Sequence, residues 1–260
     1  MRLAVCQAPA VSGDVPGNTA TAAELVVRAG DAGGELAVLP ELYLPGYDVD
    51  GLLGDRGLDV DEGRLHDDAR LDPLREACRS TRTTAVVGAA VRRGDSRRLS
   101  VLVVGADGAA SAPYDKQHLW ATESSVFDPG THGAVLELAG WRVGLGVCYD
   151  GGFPEHARAA ALAGAALYVC PVAYVVGSEH RRDLYYRARA LDNGMYVAVA
   201  GLVGPCGPNV FSGGSAVLDP EGRVVVQAGA DPRTVLVAEI DADVVARTRV
   251  EHPMLAAVRG

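Results

Sequence analysis

The chain has 260 residues, of which 48% are hydrophobic and 22% charged, so it can bury a large core like an ordinary globular protein. Its 24 Lys and Arg residues are outnumbered by 33 Asp and Glu, and the formal net charge of -9 disfavours binding to nucleic acid or to an anionic membrane surface. No apolar run approaches the roughly 18 residues of a membrane helix. We therefore expect neither nucleic acid nor membrane as a partner.

The cysteine and histidine residues are scattered along the chain. The five cysteines form no CxxC pair, and the N-terminal MRLAVCQAPA is too short and interrupted to be a secretory signal. This pattern predicts a cytoplasmic protein with reduced thiols. The six histidines show no metal-ligand spacing such as HExxH, so we expect no metal and no other cofactor.

Strand-like and helix-like segments alternate from the N-terminus onward. A short apolar strand at 2–7 precedes a helix at 18–30, for which Asn18 is the predicted N-cap, and a buried strand at 36–39 ends before Pro40. Further helices are predicted at 65–78, 153–164, 178–193 and 242–247. Further strands are predicted at 83–91, 99–104, 135–138, 141–147, 167–170, 196–202, 215–218, 223–227 and 234–240.

This order of elements predicts an α/β fold in one domain spanning residues 1–260, because no linker, repeat or low-complexity segment interrupts it. Many strands are continuous apolar runs, as expected when both faces of a sheet are covered. A four-layer αββα sandwich of two mixed sheets satisfies the pattern. A single doubly wound sheet is the alternative.

Two groups of basic residues could suggest a phosphate-binding patch. One surrounds the turn predicted at 92–98 and the other begins the helix at 178–193, and both are short and flanked by acidic residues. We interpret them as solvated surface. Their members are Arg92, Arg93, Arg97, Arg98, Arg181 and Arg182.

Four polar side chains follow or lie between buried strands, where α/β proteins place their sites. Glu41 comes directly after LAVLP, and apolar surroundings there would raise its pKa and make it a candidate base. Lys116 lies in YDKQHLW and could stabilise an oxyanion, whereas the adjacent His118 is interpreted as a structural residue. Glu123 follows Lys116 by seven residues and could position it.

Cys148 differs from the other cysteines in its position. It closes the apolar run WRVGLGV and precedes YDGG, after which a helix is predicted. A strand-to-helix turn of this kind exposes a nucleophile and supplies backbone N–H groups for an oxyanion. The glycine pair after Cys148 would let a substrate approach the backbone.

Together these residues resemble the nitrilase superfamily of carbon–nitrogen hydrolases. The motifs PELYLPGY, YDKQHL and GVCYDGGFPE occur in the family's order, and the likeness covers nearly the whole chain. The resemblance implies that Cys148 attacks an amide carbonyl, Glu41 moves the proton, and Lys116 and the Tyr149 N–H hold the oxyanion. It implies that Glu123 orients Lys116 or the substrate. It also implies a homodimer or higher homo-oligomer.

The chain departs from the family pattern at Asp192, where many members have Glu, and at Gly201, where many have Asn. The resemblance favours an amidase acting on a small linear amide, because Tyr149 and Asp150 follow the cysteine where nitrilases have Trp-Glu. N-carbamoyl hydrolysis, nitrile hydrolysis and a catalytically silent binding protein remain alternatives, while a dinucleotide-binding protein is disfavoured by QAPAVSGDVPG after the first strand. The predicted substrate-binding residues are Tyr47, Tyr149, Ala173 and Tyr174.

Overall fold

The computed structural model describes residues 1–258, which form two large mixed β-sheets, a small hairpin and flanking helices. The strands are β1 Arg2–Gln7, β2 Leu36–Val38, β3 Val60–Asp61, β4 Thr84–Arg93, β5 Ser96–Val104, β6 Ala110–Asp115, β7 Ala134–Leu138, β8 Trp141–Leu145, β9 Leu167–Val172, β10 Tyr196–Gly201, β11 Val203–Cys206, β12 Asn209–Ser212, β13 Ala216–Leu218, β14 Val224–Gln227 and β15 Thr234–Glu239. The α-helices are α1 Val15–Asp31, α2 Val49–Leu52, α3 Asp72–Thr81, α4 Pro154–Leu162, α5 Glu179–Asn193 and α6 Ala242–Glu251.

The first sheet has the order β15-β1-β2-β4-β5-β6, with β3 also paired to β4. The second has the order β14-β13-β10-β9-β8-β7. In both, parallel strands occupy the centre (β1-β2-β4 and β8-β9-β10) and antiparallel strands lie at the edges. Ala8 and Leu202, just beyond β1 and β10, form an isolated bridge that joins the two sheets.

The sheets pack face to face between two helical layers. Fully buried residues of both sheets, such as Val5 and Val169, share one core that also includes Leu25 of α1. A second core joins the outer face of the second sheet to α4 and α5 through Ala157 and Ala190. This is the predicted four-layer αββα sandwich, and it excludes a single doubly wound sheet.

The start of α1 differs from the prediction. The helix begins at Val15, and the Asp14 carboxylate caps it by accepting from the Gly17 N–H at 3.0 Å. Asn18 is instead a buried residue inside the helix, whose amide bonds to the backbone of Val11 and Leu44. Asn18 is not the N-cap, because its side chain hydrogen-bonds to backbone groups outside the helix.

The single helix predicted at 65–78 is wrong. Two short 3₁₀ helices, Glu62–Asp67 and Ala69–Leu71, come first, and α3 starts only at Asp72. Pro73 explains the boundary, since proline has no N–H to donate and is tolerated only in the first helical turn.

The basic residues at 92–98 are not all solvated surface. Strands β4 and β5 extend through this segment, so only Gly94 and Asp95 make the turn. Arg97 is buried and pairs with Asp59, while Arg92 pairs with Asp61. These guanidinium groups are paired with carboxylates in and just before β3, which leaves them unavailable to phosphate.

Among the described residues, no helix combines the length and apolarity needed to cross a bilayer. All five cysteines are free thiols.

Candidate active site

Three of the four predicted catalytic side chains form one buried ionic cluster. Lys116 Nζ lies 2.7 Å from Glu41 Oε1 and 2.7 and 2.8 Å from the two carboxylate oxygens of Glu123. All three side chains are fully buried, although Glu41 lies 75 residues before Lys116 in the sequence. The Cys148 thiol interacts with the same Glu41 carboxylate, so the structure brings the predicted set together.

Glu41 lies in the tight turn after β2, which β4 holds in place. The Gly88 N–H donates to the Pro40 carbonyl at 3.0 Å, and the Leu44 N–H donates to the Gly88 carbonyl at 3.1 Å. Glu41 Oε2 is buried and has no well-formed hydrogen bond to the residues that the structure describes. Because the Cys148 thiol interacts with the same carboxylate, this free oxygen is suited to accept a proton.

Glu123 differs from Glu41 in that both oxygens of its carboxylate accept hydrogen bonds. It lies in a short 3₁₀ helix, Ala121–Ser125, and receives the Trp120 N–H at 2.7 Å and the Tyr47 hydroxyl in addition to Lys116. These four hydrogen bonds fix the carboxylate of Glu123 in place, and Glu123 in turn holds the Lys116 ammonium group.

Burial and neighbouring charges give Glu41 and Lys116 different proton affinities. Desolvation raises the pKa of Glu41 to about 7; the Lys116 charge opposes this rise and the Glu123 charge adds to it. Desolvation alone would lower the pKa of Lys116, but the two carboxylates raise it well above its usual value. Lys116 is thus a permanent cation, whereas Glu41 titrates near neutrality.

Cys148 opens a 3₁₀ helix, Cys148–Gly152, shortly after β8 and has a left-handed backbone with φ of 42°. Such a conformation strains a non-glycine residue and persists only where its neighbours impose it. The Tyr186 hydroxyl donates to the Cys148 carbonyl at 2.8 Å, and the Val147 N–H donates to Asp150 Oδ2 at 3.0 Å. This is the sharp strand-to-helix turn that the sequence predicts.

The thiol of Cys148 differs from the others in access. Cys6, Cys78, Cys170 and Cys206 are at most 4% exposed, whereas Cys148 is partly exposed at a cavity. Burial and the Glu41 charge raise the pKa of Cys148 well above its usual value, although Lys116 and a backbone hydrogen bond from Ala173 oppose this. The resting thiol is protonated and needs a base.

A polar network behind Cys148 was not predicted from the sequence. The buried Asp150 accepts hydrogen bonds from the Tyr114 hydroxyl at 2.6 Å and the His118 N–H at 2.9 Å. His156 bonds to the hydroxyls of Tyr114 and Tyr168. The network joins the segment after Lys116 to the turn at Cys148, and His118 has the structural role expected for it.

The first glycine of the pair after the cysteine serves packing rather than substrate approach. Gly151 is buried, and a Cβ there would lie 2.4 Å from the Tyr186 ring. Arg189 of α5 donates to the Gly151 carbonyl at 2.9 Å and also pairs with Asp192 at 3.3 Å. The shorter carboxylate at 192 therefore still reaches its arginine.

A cavity of about 390 Å³ opens at Cys148. All four predicted substrate-binding residues, Tyr47, Tyr149, Ala173 and Tyr174, line it. Lining residues not predicted from the sequence include Trp120, Phe211 and two residues of α5, Arg181 and Tyr185; these three segments share no motif. Within residues 1–258, no group of three or more His, Cys, Asp or Glu side chains is arranged to hold a metal ion.

Comparisons with known proteins agree with this fold and with a carbon–nitrogen hydrolase. The family model for carbon-nitrogen hydrolase matches residues 2–250. An (R)-stereoselective amidase from Pseudomonas sp is 34% identical, covering 98% of this chain and 90% of its own, and the deaminated glutathione amidase of Escherichia coli O157:H7 is 34% identical, covering 92% and 90%.

Among solved structures, a variant of the amidase from Nesterenkonia sp. AN1 superimposes with a TM-score of 0.84 at 31% identity, covering 96% of this chain and 97% of its own. That structure shows acrylamide added to its active-site cysteine. The present chain belongs to the carbon–nitrogen hydrolase family. It is an amidase of the nitrilase superfamily with an active-site cysteine. The alternative of a catalytically silent binding protein is therefore set aside.

Proposed function

We propose that Cys148 is the nucleophile, Glu41 the proton carrier, Lys116 the oxyanion-stabilising cation and Glu123 the residue that positions Lys116. The observation that carries the proposal is the partly exposed thiol of Cys148 beside a buried carboxylate with a free oxygen, next to a lysine held by two glutamates. A thiol with a raised pKa needs such a base, and two carboxylates need such a cation.

The reaction proceeds in two halves. Glu41 takes the thiol proton as the sulfur of Cys148 bonds to the amide carbon, and the carbonyl electron pair moves to oxygen. Lys116 Nζ and the N–H of Tyr149 hold that oxyanion; Tyr149 is the second residue of a helix whose first N–H groups lack partners within the helix.

Collapse of the tetrahedral intermediate breaks the carbon–nitrogen bond, and the protonated Glu41 delivers its proton to the leaving ammonia or amine. A thioester remains on Cys148. Water then attacks the thioester while Glu41 accepts its proton, the carbon–sulfur bond breaks, and Glu41 returns the proton to the thiolate. The products are a carboxylic acid and ammonia or an amine.

The test is an ammonia-release assay with intact-mass analysis of the protein. We expect the wild type to accumulate an acyl adduct, Cys148→Ala to release no ammonia and form no adduct, and Glu41→Gln to lose acylation. Loss of Lys116 should reduce kcat on the order of 10²–10³-fold. Cys206→Ala is the matched thiol control. Full turnover by Cys148→Ala would contradict the assignment.

The same assay should include N-carbamoyl amines and nitriles, because both chemistries can use the same residues. The Tyr149–Asp150 pair after the cysteine supports the amide as substrate. A nitrile or ureido compound turned over faster than every amide would reverse this preference.

We also propose that the protein is a homo-oligomer and is cytoplasmic. The resemblance to the family supports a homodimer or higher homo-oligomer, which light scattering of the purified protein tests. The five free thiols support a cytoplasmic location, which fractionation of the producing cell tests.

A further inference from the structure

The cavity at Cys148 gathers much of the aromatic content of a chain that has little of it. Aromatic residues make up 5% of the sequence, namely three Phe, two Trp and nine Tyr. Six of them line the cavity: Tyr47, Trp120, Tyr149, Tyr174, Tyr185 and Phe211. Because they come from six separate segments, the fold rather than the local composition assembles this wall.

Four of these six rings meet in two edge-to-face pairs at the wall of the cavity. Tyr47 and Phe211 meet edge to face with centroids 5.4 Å apart, and Trp120 and Tyr149 do so at 5.0 Å. Phe211 is 2% exposed, so its place is fixed, whereas Trp120 is 45% exposed at the rim. Edge-to-face and offset contacts to such rings favour an aromatic guest over an aliphatic one.

The size of the cavity and the charges on its wall also bear on which guest fits. About 390 Å³ is within the range of sites that enclose ligands of many heavy atoms, so an amide of two to four carbons would leave most of it to water. The charged residues on its wall are one acid, Asp50, and one base, Arg181, both exposed. Their opposite signs favour neither an anionic nor a cationic guest.

We propose that this amidase acts preferentially on primary amides whose acyl group carries an uncharged aromatic ring, such as 2-arylacetamides and 3-arylpropanamides. The inference rests on the proposed function, since the amide carbon must reach the thiol of Cys148. The ring then occupies the aromatic wall while water converts the amide to the arylalkanoate and ammonia.

The first test compares kcat/KM for phenylacetamide and 3-phenylpropanamide with kcat/KM for acetamide and butyramide. Burial of an aromatic ring should raise the value on the order of 10- to 100-fold over the aliphatic amides. Cys148→Ala supplies a readout independent of turnover, because Trp120 fluorescence should be quenched by phenylacetamide at lower concentration than by butyramide.

The second test removes part of the wall. Trp120→Ala should reduce the ratio of kcat/KM for phenylacetamide over butyramide at least about 5-fold, because one face of the ring's site is lost. The matched control is Trp141→Ala, the other tryptophan of the chain, which packs on Tyr196 outside the cavity and should leave the ratio unaltered. Melting curves of both variants separate a change in selectivity from a loss of folded protein.

The outcomes distinguish this inference from the proposed function. Equal or higher kcat/KM for butyramide, or an unchanged ratio in Trp120→Ala, would overturn the aromatic preference while the amidase mechanism stands. Turnover of no amide by the wild type would overturn both.

Discussion

Glu41 and Lys116 differ in proton affinity although they are hydrogen-bonded partners in the same buried cluster. Burial raises the pKa of Glu41 to about 7, whereas two carboxylates keep Lys116 charged far above neutrality. Only the charged form of Glu41 can accept the thiol proton of Cys148. The acid limb of activity should therefore follow the titration of this one residue.

We expect kcat/KM to fall about tenfold for each pH unit below about 7, because the unprotonated fraction of Glu41 falls by that factor. Initial rates of ammonia release in a constant-ionic-strength buffer series measure this limb. Circular dichroism at each pH is the control for unfolding. A rate independent of pH between about 5 and 8 would show that a group other than Glu41 is the base.

At the scale of elements, strongly periodic segments such as α5 and apolar strands such as β9 were predicted from the sequence to within a few residues. Strands β3, β6, β11 and β12 were not, since they are short or polar and acquire their identity from a paired neighbour. The start of α1 was misplaced because Asp14 and Asn18 are both residues typical of an N-cap. Tertiary contacts decided between them.

The two residues should contribute differently to stability. Asp14→Ala removes an exposed cap and should lower the free energy of unfolding by about 1 kcal/mol. Asn18→Ala should cost more, about 2–3 kcal/mol, because it leaves the buried Leu44 carbonyl and the Val11 backbone without partners. Urea denaturation measures both.

The conservative variant Asp14→Asn keeps an acceptor at the helix start and serves as the control, with a change of only a few tenths of a kcal/mol expected. A larger loss of unfolding free energy for Asp14→Ala than for Asn18→Ala would contradict the hydrogen bonds assigned to Asn18.

At the scale of the whole molecule, the active site depends on close approaches between backbones that only the assembled sheets create. A Cβ at Gly88 of β4 would lie 2.2 Å from the Leu42 nitrogen and 2.7 Å from the Glu41 Cα. A Cβ at Gly201 of β10 would lie 2.5 Å from the Gly213 carbonyl oxygen, which explains the absence of a larger residue at this departure from the family pattern.

Gly88→Ala should displace the Glu41 turn, because the added methyl group meets backbone rather than a flexible side chain. We expect a loss of about 10²-fold in kcat and a destabilisation of about 1–3 kcal/mol. Gly54→Ala is the matched control, since a Cβ there meets nothing within 4 Å. Wild-type kcat for Gly88→Ala, from ammonia release at matched folded protein, would contradict this coupling.

The sequence by itself determined the fold class and the four candidate catalytic residues. Apolar runs identify buried strands, and the motifs around Glu41, Lys116 and Cys148 lie in contiguous segments that can be recognised one at a time. Only the tertiary structure decided the other half of the aromatic wall (Trp120, Tyr185 and Phe211), the Asp150 network and the burial of Arg97. Each of these joins residues from distant segments, and their contacts exist only after the two sheets have packed.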